Sequence, residues 1–142
     1  MDLNQYIEPK QQTFLHNVEY RLLELVANAR GSVMKVSDNL DATFIDNKHI
    51  KLVLTRKISF NPAGLFEASV AFGTILTLKD DAYFLVDWKT FDVAEEVVNN
   101  SKNLVNPLCA RISMLVAEIT SACGQPPIIT PPCVIVPQPA QQ

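Results

Sequence analysis

Three cysteines and two histidines are the residues best suited to nucleophilic chemistry in this chain: Cys109, Cys123 and Cys133, with His16 and His49. A thiol attacks as its thiolate, so catalysis needs a base within hydrogen-bond reach. Cys109 and Cys123 fall on an apolar stripe of helical spacing, and both histidines fall in strand-like stretches. Free cysteine in such a stripe behaves as a small buried apolar residue, and that reading outweighs a Cys–His pair. The cysteines are odd in number and include no C-x-x-C pair, which argues against a disulfide framework and against a zinc site. They read as reduced thiols. Carboxylates occur in "DNLD" (38–41) and "KDD" (79–81), in turn-like settings where Asp and Asn bond locally to the backbone. The four glycines are isolated, so no phosphate-cradling loop exists. The chain reads as a non-enzyme, with no cofactor and no metal.

A second kind of chemistry is apolar recognition. The stretch "CGQPPIITPP", Cys123 to Pro132, packs four prolines and a glycine around two isoleucines. A core strand does not tolerate those prolines, and a disordered tail has no use for the isoleucines. The stretch is expected to be an ordered loop. Gly124 stops a helix, Pro126 and Pro127 forbid its continuation, and Ile128 and Ile129 are held in a rigid loop. Either these isoleucines fill the core or an oligomer contact, or they face a partner; prolines lower the entropic cost of presenting them. The candidate binding residues are Gly124, Gln125, Pro126, Pro127, Ile128 and Ile129.

The elements that position this loop follow from periodicity. "FLHNVEYRLLELV" (14–26) fits two periods: Val18, Tyr20 and Leu22 alternate as in a strand, while Leu15, Val18, Leu22 and Val26 suit a helix. The strand is preferred. "ARGS" (29–32) supplies a turn, and "VMKVSDNLDATFID" after it predicts a strand with an irregularity at Ser37 to Asn39. "HIKLVLTRKISF" places Ile50, Leu52, Leu54, Ile58 and Phe60 on one face and Lys51, Thr55, Lys57 and Ser59 on the other, with Arg56 alone breaking step. "NPAG" (61–64) is a turn in which Gly64 can take positive φ. "LFEASVAFGTILTL" then alternates again, predicting an antiparallel hairpin with one solvated face carrying Glu67 and Ser69. Phe91, Val93, Ala94, Val97 and Val98 mark a short helix. From Leu104 to Cys123 apolar residues recur every three or four positions over about five turns. Within that run, Asn106 and Pro107 either start the helix or mark a kink. Strands first and helices last predict an α+β fold: a four-stranded antiparallel sheet packed on one face by a long helix in the C-terminal half plus a shorter one.

The 142 residues suit a single domain, 1–142, with a polar lead-in at 1–13 and a flexible Pro/Gln-rich tail at 133–142. Apolar residues make up 48% and charged residues 19%, which excludes a disordered chain. A net charge of -3 with dispersed basic residues excludes a phosphate-binding face, so no nucleic-acid partner is expected. No apolar run approaches the roughly 20 residues of a membrane span, and the start lacks a signal-peptide pattern. A cytoplasmic location is expected.

The order of strands and long helix, ending in "ITSACGQPPIITPP" (119–132), resembles SecB-type export chaperones and their SecB-like relatives. The likeness covers roughly residues 14 to 132, and its motif-like part is the helix end and loop. The resemblance implies a homotetramer, a dimer of dimers with sheets outward and helices sandwiched between them. It implies unfolded or precursor polypeptides as partners, bound in apolar grooves, and either delivery to a translocase motor or protection of an antitoxin. By that likeness Gly124, Pro126 and Ile128 match the groove-walling loop. The helix stripe, with Leu108, Ile112, Leu115, Val116 and Ile119, would supply the inter-subunit contact. Gln125 stands where export chaperones often carry an aromatic residue. Pro107 and Arg111 are one residue further apart than the family's Pro-x-x-Arg pattern.

Overall fold

Two long strands form the centre of the molecule, β3 (His49–Asn61) and β4 (Phe66–Thr77), paired in unbroken antiparallel register from His49↔Thr77 to Ile58↔Ala68. The computed structural model describes residues 2–23, 33–61, 64 and 66–135. β1 (Gln12–Leu22) adds to β4, and β2 (Val33–Phe44) adds to β3, so the order is β1-β4-β3-β2 and every pairing is antiparallel. The expected four-stranded sheet and its central hairpin are both present. The "ARGS" turn lies outside the described residues, but β1 and β2 occupy opposite edges and do not pair.

Alternation decides what each face does. Ile50, Leu52, Leu54 and Ile58 of β3 and Phe66, Ala68, Val70 and Leu76 of β4 point inward and are buried. Lys51, Thr55, Lys57, Ser59, Glu67 and Ser69 lie on the outer face, exposed or half-exposed. Helices cover the inner face: α1 (Ala82–Leu85), α2 (Val93–Asn100) and α3 (Asn106–Ala122). Asp92 caps α2, its carboxylate accepting from the Glu95 amide at 3.1 Å. α3 lays Leu108, Cys109, Ile112 and Val116 against β4 and β3. Each large aliphatic side chain so covered contributes about 1.5–3 kcal/mol. Pro107 sits in the first turn, where its missing N–H has no intrahelical partner to lose, so it starts the helix rather than kinking it.

The end of α3 is closed by backbone geometry. Gly124 takes φ +88; its amide donates to the Ser121 carbonyl at 3.2 Å and that of Gln125 to the Thr120 carbonyl at 2.9 Å. This is a Schellman closure, and it confirms Gly124 as the stop.

Several details depart from the sequence expectations. Residues 1–13 are not merely a polar lead-in: Leu3, in a 3-10 turn (Leu3–Tyr6), and Ile7, bridged to Leu78, are core residues, and β1 begins at Gln12. The irregularity expected at Ser37 to Asn39 is absent, since β2 runs in register with β3 from Val33↔Asn61 to Phe44↔Ile50. It lies in β1 instead, where the pairing passes from Leu15↔Phe72 to Asn17↔Ala71 and leaves His16 as the extra residue. Gly64 is buried without positive φ, and its requirement is steric: a Cβ there would meet the Phe60 side chain at 2.6 Å.

Candidate functional site

The most heavily bonded side chain on the inner face is Arg56, the one that broke the alternation of β3. Its side chain is 0% exposed and that of Asp38, its cross-strand partner on β2, is 1% exposed. Arg56 Nε and Nη2 donate to Asp38 Oδ1 and Oδ2, each at 2.8 Å, the two-pronged geometry that suits guanidinium to carboxylate. Bringing two ions out of water costs several kcal/mol, so the remaining protons and lone pairs must also be matched. The segment after α3 matches them. Arg56 Nη1 donates to Thr130 Oγ1 at 2.8 Å and to the Pro131 carbonyl at 2.7 Å, and Nη2 donates to the Cys133 carbonyl at 2.9 Å. The Ile135 amide donates to Asp38 Oδ2 at 2.8 Å.

α3 holds the same segment from its other side. Ser113 Oγ lies 2.6 Å from the Thr130 carbonyl and 3.1 Å from that of Pro131, and the Ile128 amide donates to Thr120 Oγ1 at 3.0 Å. Residues 126–135 therefore return alongside α3 and end over β2. Pro126, Pro127, Pro131 and Pro132 restrict the segment's φ angles to about −65°. Of the two adjacent isoleucines, Ile128 packs against the core and Ile129 stands 78% exposed. Gln125 is half-buried, and Gly124, Pro126 and Pro127 are exposed. Cys133 to Ile135, expected to begin a flexible tail, are pinned by Arg56 and Asp38.

The opposite flank of α3 borders a different surface. Ser113 and Thr120 face the returning segment, and at about 100° per residue Leu115 falls on the far flank, toward β1. Leu115 and Ile119 are half-buried there. On the inner face of the edge strand β1, Leu15 is 53%, Val18 37% and Leu22 59% exposed. The pairing shift at His16 keeps Leu15 and Val18 on one face, which an unbroken strand would separate. Leu108, Ile112 and Val116, expected at a subunit contact, are covered by the chain's own sheet. Among the large apolar residues of α3, Met114 is exposed at 66%.

The thiols and imidazoles do not assemble into a catalytic arrangement in the described contacts. Cys109 is buried and its thiol is pushed up to about 11, chiefly by desolvation, which suppresses the thiolate. Cys123 and Cys133 are exposed. His49 Nδ1 lies 2.9 Å from Asp46 Oδ1 at the start of β3, and His16 meets the Phe14 ring edge-on. The hydrogen bond from His49, then that from the Lys48 amide, hold the Asp46 carboxyl below the usual carboxylate range. Among the described residues no group of three His, Cys, Asp or Glu side chains could hold a metal. No described helix is long and apolar enough to cross a membrane.

Sequence reasoning found the loop but missed its anchor. A charge in the buried phase of a strand requires a partner, and Asp38 shares the phase of Val36 and Leu40 on the neighbouring strand. Reading Ser37 to Asn39 as an irregularity concealed that partner.

A four-stranded antiparallel sheet with a long C-terminal helix packed across one face is the SecB-like fold. The structure is similar to that of a SecB-like chaperone from Mycobacterium tuberculosis, solved in complex with a ChAD peptide from the HigA1 antitoxin. The TM-score is 0.63 at 10% identity, over 91% of this chain and 88% of that one. A protein of unknown function from Streptococcus agalactiae matches with a TM-score of 0.47 at 17% identity, over 88% of this chain and 98% of that one. No protein-family model matches the sequence, and no curated protein does.

Proposed function

We propose that this chain is a non-enzymatic chaperone that binds non-native polypeptide through apolar contact. The observation that carries this reading is the proline-bounded loop after α3, whose Ile128 amide is held by Thr120 Oγ1 while Ile129 remains 78% exposed. A preorganised apolar residue on a rigid loop loses little entropy on binding, and recognition of this kind needs no catalytic group. Binding only the unfolded state holds a client back from folding by mass action. Gly124, Gln125, Pro126, Pro127 and Ile129 form the presented surface, with Ile128 as its inner anchor.

The functional unit is proposed to be a cytoplasmic homotetramer. Because α3 buries Leu108, Ile112 and Val116 internally, its subunit contact would use Met114, Leu115 and Ile119. The decisive variant is Ile129→Asp. It should lower affinity for an unfolded client by tenfold or more while leaving the circular dichroism unchanged; undiminished binding would remove the loop from the site. A second reading, a module dedicated to one antitoxin-like client, is favoured by the peptide bound in the similar mycobacterial structure. A pull-down separates the readings. Many unfolded precursors, with or without a translocase motor, indicate a general chaperone, and one stoichiometric protein indicates the dedicated module.

A further inference from the structure

Residues 128–135 are held almost entirely through their main chain. Arg56 donates to the carbonyls of Pro131 and Cys133, Ser113 Oγ contacts that of Thr130, and the amides of Ile128 and Ile135 donate to Thr120 Oγ1 and Asp38 Oδ2. Only one side chain of the segment, that of Thr130, takes part in these polar contacts, through Oγ1. Donors and acceptors aimed at a peptide backbone read no particular sequence, so the same cleft suits any extended chain. Apolar residues flank those groups: Val36 and Leu40 on β2 pack against the core, as do Ile128 and Val134 of the segment itself.

We propose that the cleft between α3 and β2 is a binding site for extended polypeptide backbone, occupied in the resting protein by the chain's own residues 130–135, which an unfolded client displaces while the loop from Gly124 to Ile129 stays seated through the Ile128 amide on Thr120 Oγ1. Arg56 and Asp38 then exchange internal carbonyls and an internal amide for the client's. This inference rests on the chaperone reading and adds an internal competitor to it. The competitor keeps the buried ion pair satisfied when no client is present, and it lowers apparent affinity by the fraction of molecules whose segment is seated.

A reversible lock tests this. Ser113 Oγ and Thr130 Oγ1 lie 3.0 Å apart, so the longer C–S bonds of two cysteines at these positions can bring their sulfurs to the roughly 2.05 Å of a disulfide. Ser113→Cys with Thr130→Cys, in a Cys123→Ser, Cys133→Ser background, should fasten the segment when oxidised and free it when reduced. The probe is fluorescein-labelled, reduced and carboxymethylated α-lactalbumin, a permanently unfolded chain, followed by anisotropy. Oxidation, verified by mass, should weaken binding by about tenfold or more, and reduction should restore it. A complementary variant loosens the segment without new thiols: Ile135→Pro, which deletes the amide donated to Asp38, should tighten binding severalfold. A residue with a merely structural role would not produce that gain. Equal binding by the locked and reduced forms, or no tightening in Ile135→Pro, overturns the displacement proposal while leaving the chaperone reading intact. Failure of the unmodified protein to bind the probe overturns both.

Discussion

Removing the Arg56 guanidinium leaves the Asp38 carboxylate almost wholly buried without its counter-charge, and takes one donor from each of two carbonyls of the returning segment. Arg56→Met should therefore cost about 3–5 kcal/mol, read as a lower urea midpoint. Arg56→Met with Asp38→Leu should recover much of the loss, since apolar replacement of a whole buried pair is often near neutral. A single variant within about 1 kcal/mol of the parent would contradict the anchor's role. Cys109 makes stability depend on alkaline pH. Burial raises its thiol from 9.0 to about 11, so the unfolded chain releases that proton first as pH rises. Its contribution to stability is intact below pH 9 and is lost progressively between pH 9 and 11. Cys109→Ala should flatten that alkaline decline, and an unchanged pH profile would show that this thiol does not cause it. At this scale the sequence was half legible. The isolated charge at Arg56 was visible, but its partner was not, because strand pairing rather than local spacing brings Asp38 opposite.

The elements were easier to read where a single period dominated. β3, β4 and α3 bury one face each against one another, so hydrophobic spacing reported them directly. β1 was ambiguous for a physical reason: the extra residue at His16 gives Leu15 and Val18 a helix-like interval within a strand. The small α1 turn and the burial of Leu3 and Ile7 left no periodic trace, being short pieces fixed by tertiary packing. Two glycines test the element geometry. Gly124→Ala places a side chain at φ +88 with open space around it, so backbone strain alone should cost about 1 kcal/mol in thermal unfolding. Gly73→Ala brings a Cβ to 2.5 Å from Phe14 Cζ and 3.2 Å from the Leu52 carbonyl oxygen. It should destabilise by about 1–3 kcal/mol and displace Phe14; a Gly73→Ala protein as stable as the parent would contradict the β1–β4 packing described above.

For the whole molecule, the sheet, the long helix and the loop after it were legible, while the division of apolar residues between core and surface was not. α3 showed one stripe in the sequence, and only packing separates Ile112, fully covered, from Met114, left open. Light scattering should give four times the chain mass, and Met114→Lys should shift the population toward smaller species. A monomer in both cases would remove the tetramer. The chaperone account itself is tested most directly by one titration: the same labelled α-lactalbumin presented to this protein in its native form and in its reduced, carboxymethylated form. Saturable binding of the unfolded form and none of the native one is expected. Absence of binding to the unfolded form, or equal binding to both, would contradict it.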